Sequence, residues 1–366
     1  MGTRLFGMEM QSAFILGSGP LGFCADSMIE AHRQGIGAVV TKTIRDKAAI
    51  NPLPHIHSDF TSRTMLNAEL WSDIPGETWV DQEIPKARAA GVNVIASIGH
   101  TPAEARHWVP LVDQAGAQAM ELVSYSEDTI VSMAQAAVDC TRKPVIVKIS
   151  PNWTDPLGMV PALIEAGVAG FTAIDSIGPV LRIDIRTGKS FLGSRDGRGW
   201  LTGSAIKPIA LHYIARLAAM TELPIIGLGG VVTAKDAVEM SMAGAQAIGL
   251  CTTLMLQGLG FLPRLQEETH QVLEQLGYHS LAQTYGIFNA RNQQREPKES
   301  LRPQFSFDSS VCIDCGRCRT VCSYQAQHTT KNKLEVDPSL CRLCGLCVAV
   351  CPSRALSFQG GQGNLA

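Results

Sequence analysis

Charge is what this 366-residue chain has least of: Asp, Glu, Lys and Arg make up 17% of it, and the formal net charge is −2. A globular domain ordinarily carries about a quarter charged residues, so the composition favours a large buried core. With neither sign in excess, nothing in the composition calls for nucleic acid or an acidic surface as partner. The N-terminus, Met1-Gly2-Thr3-Arg4-Leu5-Phe6, leads into an apolar run too short for a signal peptide, which argues for a cytoplasmic protein. One stretch, 245–263, runs nineteen residues without a charge, enough to cross a membrane. Gln246, Thr252, Thr253, Gln257 and several glycines divide it into a strand-like and a helix-like half, so it reads as buried barrel and not as a membrane span.

Cysteine, by contrast, is concentrated. Eight of the eleven cysteines fall in two copies of one spacing, Cys312-x2-Cys315-x2-Cys318-x3-Cys322 and Cys341-x2-Cys344-x2-Cys347-x3-Cys351-Pro352. The copies are offset by 29 residues throughout, and the same offset carries Asp308 onto Asp337, so the segment is an internal duplication. Structural zinc uses four ligands, usually as two pairs, and has no use for a third and fourth cysteine at this spacing repeated twice. Cubane iron–sulfur clusters do, and in two-cluster ferredoxins the fourth cysteine of each run ligates the other cluster. Cys312, Cys315, Cys318 and Cys351 are therefore expected to hold one [4Fe–4S] cluster, and Cys341, Cys344, Cys347 and Cys322 the other. Such thiolates must stay reduced, which again suits the cytoplasm.

The preceding 288 residues have another rhythm. Apolar runs of strand length recur at 14–17, 38–42, 93–98, 119–123, 145–149, 171–175, 225–229 and 247–251, each leading towards an amphipathic, helix-like segment. Gly35, Gly91, Gly116, Gly167 and Gly244 stand where a left-handed residue would stop such helices. Nearly uninterrupted apolar strands alternating with helices predict a parallel sheet covered on both faces, and eight such units predict an α/β fold, the closed (β/α)8 barrel. Two excursions, 49–79 and 177–203, follow strands and so belong to the end where barrel enzymes place their chemistry. The expected organisation is a barrel over 1–288, a polar linker over 289–303 and a two-cluster, ferredoxin-like domain over 304–366.

Gly17-Ser18-Gly19-Pro20-Leu21-Gly22 fits a dinucleotide fingerprint, but that motif requires an acidic residue at the end of the second strand, where this chain has Lys42. A phosphate site fits better at Gly227-Leu228-Gly229-Gly230 after the seventh strand and Cys251-Thr252-Thr253 after the eighth, the two loops from which barrels build such sites.

Leu16-Gly17-Ser18-Gly19-Pro20, Val40-Thr41-Lys42-Thr43, Leu66-Asn67-Ala68-Glu69-Leu70, Val147-Lys148-Ile149-Ser150-Pro151-Asn152 and Gly203-Ser204-Ala205-Ile206-Lys207-Pro208 resemble, in order, the FMN barrel of dihydroorotate dehydrogenases. Joined to a two-cluster module, the chain is similar to the FMN and iron–sulfur subunit of bacterial dihydropyrimidine dehydrogenase. The resemblance implies FMN bound by Gly17, Ser18, Lys42, Thr43, Lys148, Gly203, Ser204, Gly229, Gly230, Cys251 and Thr252, beside a small-molecule substrate held by Asn67, Asp128, Asp175 and Ser176. It implies hydride exchange at a C=C bond next to a carbonyl, with Ser126 and Lys148 as catalytic residues and electrons passing singly through the clusters. No nicotinamide or FAD fold is present, so the implied partner is an NAD/FAD-dependent subunit or a soluble ferredoxin, in an oligomer of like or unlike chains. The alternatives are an electron-transfer subunit without its own substrate, and a family member with a non-pyrimidine substrate.

Departures gather after the fourth strand. The family's Asn-Leu-Ser-Cys-Pro-Asn is here Val123-Ser124-Tyr125-Ser126-Glu127-Asp128, and a third asparagine is Asp175. Ser126 takes the acid–base position, and equally suits a helix N-cap. His55, His57 and His100 are expected on the active face as candidate substrate contacts.

Overall fold

The computed structural model describes residues 2–292, 304–330 and 333–359, and the chain divides into two compact units, Met1–Gln293 and Gln294–Ala366. In the first, eight parallel strands close into a barrel: Phe14–Leu16, Ala38–Val40, Val94–Gly99, Ala119–Val123, Val145–Ile149, Gly170–Ala173, Ile225–Leu228 and Ala247–Leu250, with the eighth pairing back to the first through Ile248 opposite Phe14. They are the eight runs expected, and nearly every residue in them is buried, because barrel side chains pack inward on one another and outward on the helices. The five helix-stop glycines all have positive φ, from 86° at Gly91 to 122° at Gly244, a region costly for any residue with a Cβ.

The bottom of the barrel is closed by a hairpin of Thr3–Leu5 and Met8–Met10, whose Leu5, Met8 and Met10 pack on inward-facing Ile15, Val40, Ile95, Ile146 and Ile226. The opposite end carries an unexpected layer. The two excursions are not separate loops; they combine into a four-stranded antiparallel sheet ordered Ile177–Val180, Gly199–Gly203, Thr64–Asn67, Ile56–Asp59. Its register sets Asn67 opposite Trp200, joining residues 133 positions apart over the barrel mouth.

The charge-free stretch holds the eighth strand and the short helix Thr252–Gln257, and no described helix is long and apolar enough to cross a membrane. The barrel unit runs past the boundary expected at 288: helix Ile287–Asn292 continues into the supposed linker, and Asn289 Nδ2 donates to the Ala215 carbonyl at 2.8 Å. The rest of that linker, 293–303, lies outside the described residues.

The second unit keeps its duplication in three dimensions. Gly316 and Gly345, both left-handed, precede the short helices Arg317–Thr320 and Leu346–Ala349. Asp308 accepts from the Ser310 N–H and Oγ at 2.9 and 2.6 Å, and Asp337 from Ser339 at 2.8 and 2.6 Å. Two antiparallel pairs, Gln304–Phe307 with Leu356–Gln359 and Gln327–Thr330 with Lys333–Val336, frame a core centred on Cys347, Val348, Leu356 and Phe358.

Candidate flavin, substrate and cluster sites

At the C-terminal mouth of the barrel lies a cavity of about 100 Å³, lined among others by Ser18, Asn67, Lys148, Asp175, Ser176, Gly203, Gly229, Gly230, Cys251 and Thr252. Backbone geometry dictates the glycines. Gly229 and Gly230 have φ of 128° and 78°, and a Cβ on Gly230 would come within 2.7 Å of the Lys207 backbone. A Cβ on Gly19 would meet the Cys251 Sγ at 2.6 Å. The Gly229 and Gly230 N–H groups donate to no other described residue. With the Ser18 hydroxyl they form the donor wall that a phosphate requires, while the Thr252 hydroxyl donates to Thr202 Oγ1 at 2.9 Å and the Thr202 hydroxyl to the Met65 carbonyl at 3.3 Å.

Two buried lysines serve this mouth, each tied to a glutamate. Lys148, on the fifth barrel strand, stands 2.9 Å from Glu121 on the fourth, with side-chain exposures of 5% and 1%. Glu121 in turn accepts from Thr172 Oγ1 on the sixth strand at 2.7 Å. Burial works to lower the Lys148 ammonium, but the adjacent Glu121 charge, with Asp175 in support, holds it above its ordinary value, so it stays protonated. Lys42 lies 2.9 Å from Glu69 and donates to the Leu70 carbonyl at 3.1 Å. Glu121 Oε1 and Glu69 Oε2 make no hydrogen bond of good geometry, and for each the lysine charge is the compensation. Cys251, close to both lysines, is pushed by burial to about 11 and remains a thiol.

A second cavity of about 100 Å³ adjoins the first and shares Ser18, Asn67, Lys148, Asp175 and Ser176 with it. Its remaining wall includes Lys42, Thr43, Glu69, Trp71, His100, Val123, Tyr125 and Trp200. Tyr125 lines the wall with its ring partly exposed, and desolvation on the cavity side, with help from Asp175, pushes its phenol to about 12. His100 meets Tyr125 edge-on at 4.3 Å. Burial and the nearby Arg45 charge push His100 down to about 4, so the imidazole is neutral.

Four of the expected site residues line neither cavity. Gly17 is buried beneath the mouth, donating to the Leu250 carbonyl, and Ser204 bonds Thr64 Oγ1 at 3.2 Å. Ser126 is exposed, and its Oγ accepts the Asp128 N–H at 3.3 Å as the N-cap of helix Glu127–Val138. The geometry is that of the cap, and neither the acid–base role expected of Ser126 nor the substrate contact expected of Asp128 finds support in the lining of these cavities. It is Tyr125, one residue earlier, that faces the chamber, because the chain leaves the strand with Tyr125 turned inward and Ser126 turned to the helix end. His57 stacks on Phe191 at 4.0 Å and His55 bonds the Pro52 carbonyl, both away from the cavities.

Glu69, Glu121, Trp71, Tyr125 and Trp200 were not assigned to the site from the sequence. The two glutamates had a signal: a lysine buried in a barrel requires a counter-charge. Trp200 had none, since only the pairing of the two excursions brings it to Asn67.

In the second unit, a cavity of about 190 Å³ is lined by Cys312, Cys315, Cys318 and Cys351, and a smaller one of about 20 Å³ by Cys322, Cys341, Cys344 and Cys347. No cysteine is in a disulfide. Among the described residues no group of three His, Cys, Asp or Glu converges tightly enough for a single metal ion. Four thiols set around each void are the donor set of a cluster, in which each iron takes one cysteine.

Residues 112–273 match the family described as dihydroorotate dehydrogenase, and 311–355 match the 4Fe-4S dicluster domain. Among curated proteins, the chain is similar to the catalytic subunit of dihydroorotate dehydrogenase B (NAD(+)) from Pyrococcus abyssi, at 29% identity over 78% of this chain and 98% of the relative. The subunit of that name from Streptococcus pneumoniae is 30% identical over 82% and 98%, and the one from Enterococcus faecalis 32% identical over 76% and 92%. The family's cofactor is FMN, and the dicluster domain carries two [4Fe–4S] clusters. With nearly the full length of several such subunits covered, one of them at 32% identity, the chain belongs to the dihydroorotate dehydrogenase family and is an oxidoreductase with an iron–sulfur domain.

Proposed function

We propose that this chain oxidises or reduces a carbon–carbon bond next to a carbonyl in a small planar substrate and exchanges the electrons with a protein partner through its clusters. The observation that carries the reading is the continuity of the two cavities: a donor-rich wall at Gly229 and Gly230 leads past Lys148 into a chamber walled by rings. FMN supplies the chemistry, because it exchanges electrons in pairs with a substrate and singly with clusters. Gly229, Gly230, Gly203 and Thr252 would hold its phosphate, with Ser18, Lys42, Thr43 and Lys148 at its ring. Lys148 offers a fixed positive charge in a site that excludes water, where it counts for far more than in solvent. Tyr125, kept protonated, is the proton donor we assign to the substrate's other carbon in the reducing direction.

Cys312, Cys315, Cys318 and Cys351 would ligate one cluster, and Cys341, Cys344, Cys347 and Cys322 the other. Thiolates of this kind are kept reduced in the cytoplasm. The partner would be an NAD/FAD-dependent subunit, similar in role to that of dihydropyrimidine dehydrogenase, or a soluble ferredoxin.

Val123 favours a second reading, in which the barrel has lost its substrate and only connects the clusters to a partner: an apolar side chain cannot grip a ring amide. Anaerobic mixing of the holoprotein with a panel of dihydropyrimidines and related unsaturated amides decides between them. Bleaching of the flavin by any panel member supports the first reading; a flavin that answers to a reduced ferredoxin and to none of the panel supports the second.

A further inference from the structure

The substrate chamber has an unusual balance of charge. Among the described residues, the cations that line or adjoin it are already matched: Lys42 by Glu69 at 2.9 Å, Lys148 by Glu121 at 2.9 Å and Arg45, over the Trp71 ring, by Glu104 at 2.8 Å. His100 is neutral at ordinary pH. Asp175, which lines both cavities, has no ion-pair partner among the described residues; its Oδ1 accepts the Ser176 N–H at 2.8 Å and no bond engages Oδ2. The carboxylates therefore outnumber the cations. Val123 faces the same chamber where an amide would otherwise donate.

A ligand carboxylate placed here would find no free cation and would confront Asp175 across a cleft walled by protein, where like charges repel strongly. The walls themselves suit a flat ring. Tyr125 and Trp200 lie within 7° of parallel with centroids 6.1 Å apart, and His100 and Trp71 close the sides. A neutral or cationic ring with adjacent N–H groups would satisfy Asp175 by charge-assisted hydrogen bonds, about twice as strong as neutral ones. Deepening the flavoenzyme reading on which it rests, we infer that Asp175 selects a planar nitrogen heterocycle presenting an amidine-like N–H edge, and that the chamber rejects anionic rings such as orotate.

The test uses the FMN-loaded full chain, purified anaerobically, and two probes: isocytosine, which carries the amidine edge, and orotate. Binding is read by calorimetry and by perturbation of the flavin absorption band. Isocytosine is expected to bind at least tenfold more tightly than orotate. Asp175→Asn should weaken isocytosine by roughly 10–100-fold and improve orotate, with FMN content and melting temperature unchanged. Orotate binding as tightly as isocytosine, binding of neither probe, or indifference of both to Asp175→Asn overturns this inference while FMN content leaves the flavin reading intact. A purified chain that retains no FMN overturns the flavin reading itself, and the inference with it.

Discussion

The two units of this chain solve the problem of stability by opposite means. The barrel buries a continuous core from Phe14 to Leu265, with Trp79, Trp108 and Phe171 fully enclosed. Among its described residues the cluster unit buries only seven, and the apolar cluster at its centre has four, one of them Cys347. A core that small does not ordinarily hold a domain of this length without a staple, and metal bound only by the folded form contributes its binding energy to folding. The barrel should therefore be stable as protein and the cluster unit stable as a metalloprotein.

The largest effect that would break this comparison is loss of iron. Chelation under anaerobic conditions should abolish the protection of the cluster unit from trypsin while the barrel keeps its own melting transition. Joint unfolding of both, followed by circular dichroism and limited proteolysis, would show the contrast to be wrong.

Within the barrel, the more deeply buried of the two lysine–glutamate pairs is Lys148–Glu121. Lys148→Met strands a buried carboxylate and should cost about 3–5 kcal/mol, measured by denaturant unfolding. Pairing it with Glu121→Leu should recover most of that stability but not FMN binding, which separates packing from cofactor chemistry.

Next comes the chamber. Tyr125→Phe should slow substrate-linked flavin reduction or oxidation by about 10²–10⁴-fold with little change in melting, read by stopped flow. Acid titration is a gentler probe of the same face. His100 has a folded value of about 4 against an ordinary 6.5. A depressed histidine contributes its stability above 6.5 and loses it as pH falls towards 4, by roughly 3 kcal/mol at most. His100→Phe should flatten that part of the stability profile. The smallest effect is Ser126→Ala: about 1 kcal/mol of stability from the lost cap, visible in melting, with the reaction rate unchanged.

How far the sequence revealed each region follows from the physics of each. The eight barrel strands were legible because a sheet covered on both faces must be written in nearly continuous apolar residues, and the five stopping glycines because only glycine takes their backbone angles freely. The cluster cysteines were legible from spacing alone. The sheet over the barrel mouth was not, since a cross-strand pair such as Asn67 and Trp200 leaves no local periodicity. Nor was the direction of the loop after the fourth barrel strand: one residue decides whether Tyr125 or Ser126 faces the chamber, and motif spacing does not register which of the two turns inward. The counter-charges Glu69 and Glu121 lay within or beside the quoted motifs, yet only the packing showed which lysine each one holds.

The separate construction of the two cofactor sites is tested most directly by measuring FMN and iron per chain in anaerobically prepared wild type and Cys344→Ala. One FMN is expected in both proteins, with iron falling from about eight to about four. FMN that disappears together with the iron, or iron that stays near eight after Cys344 is removed, would contradict it.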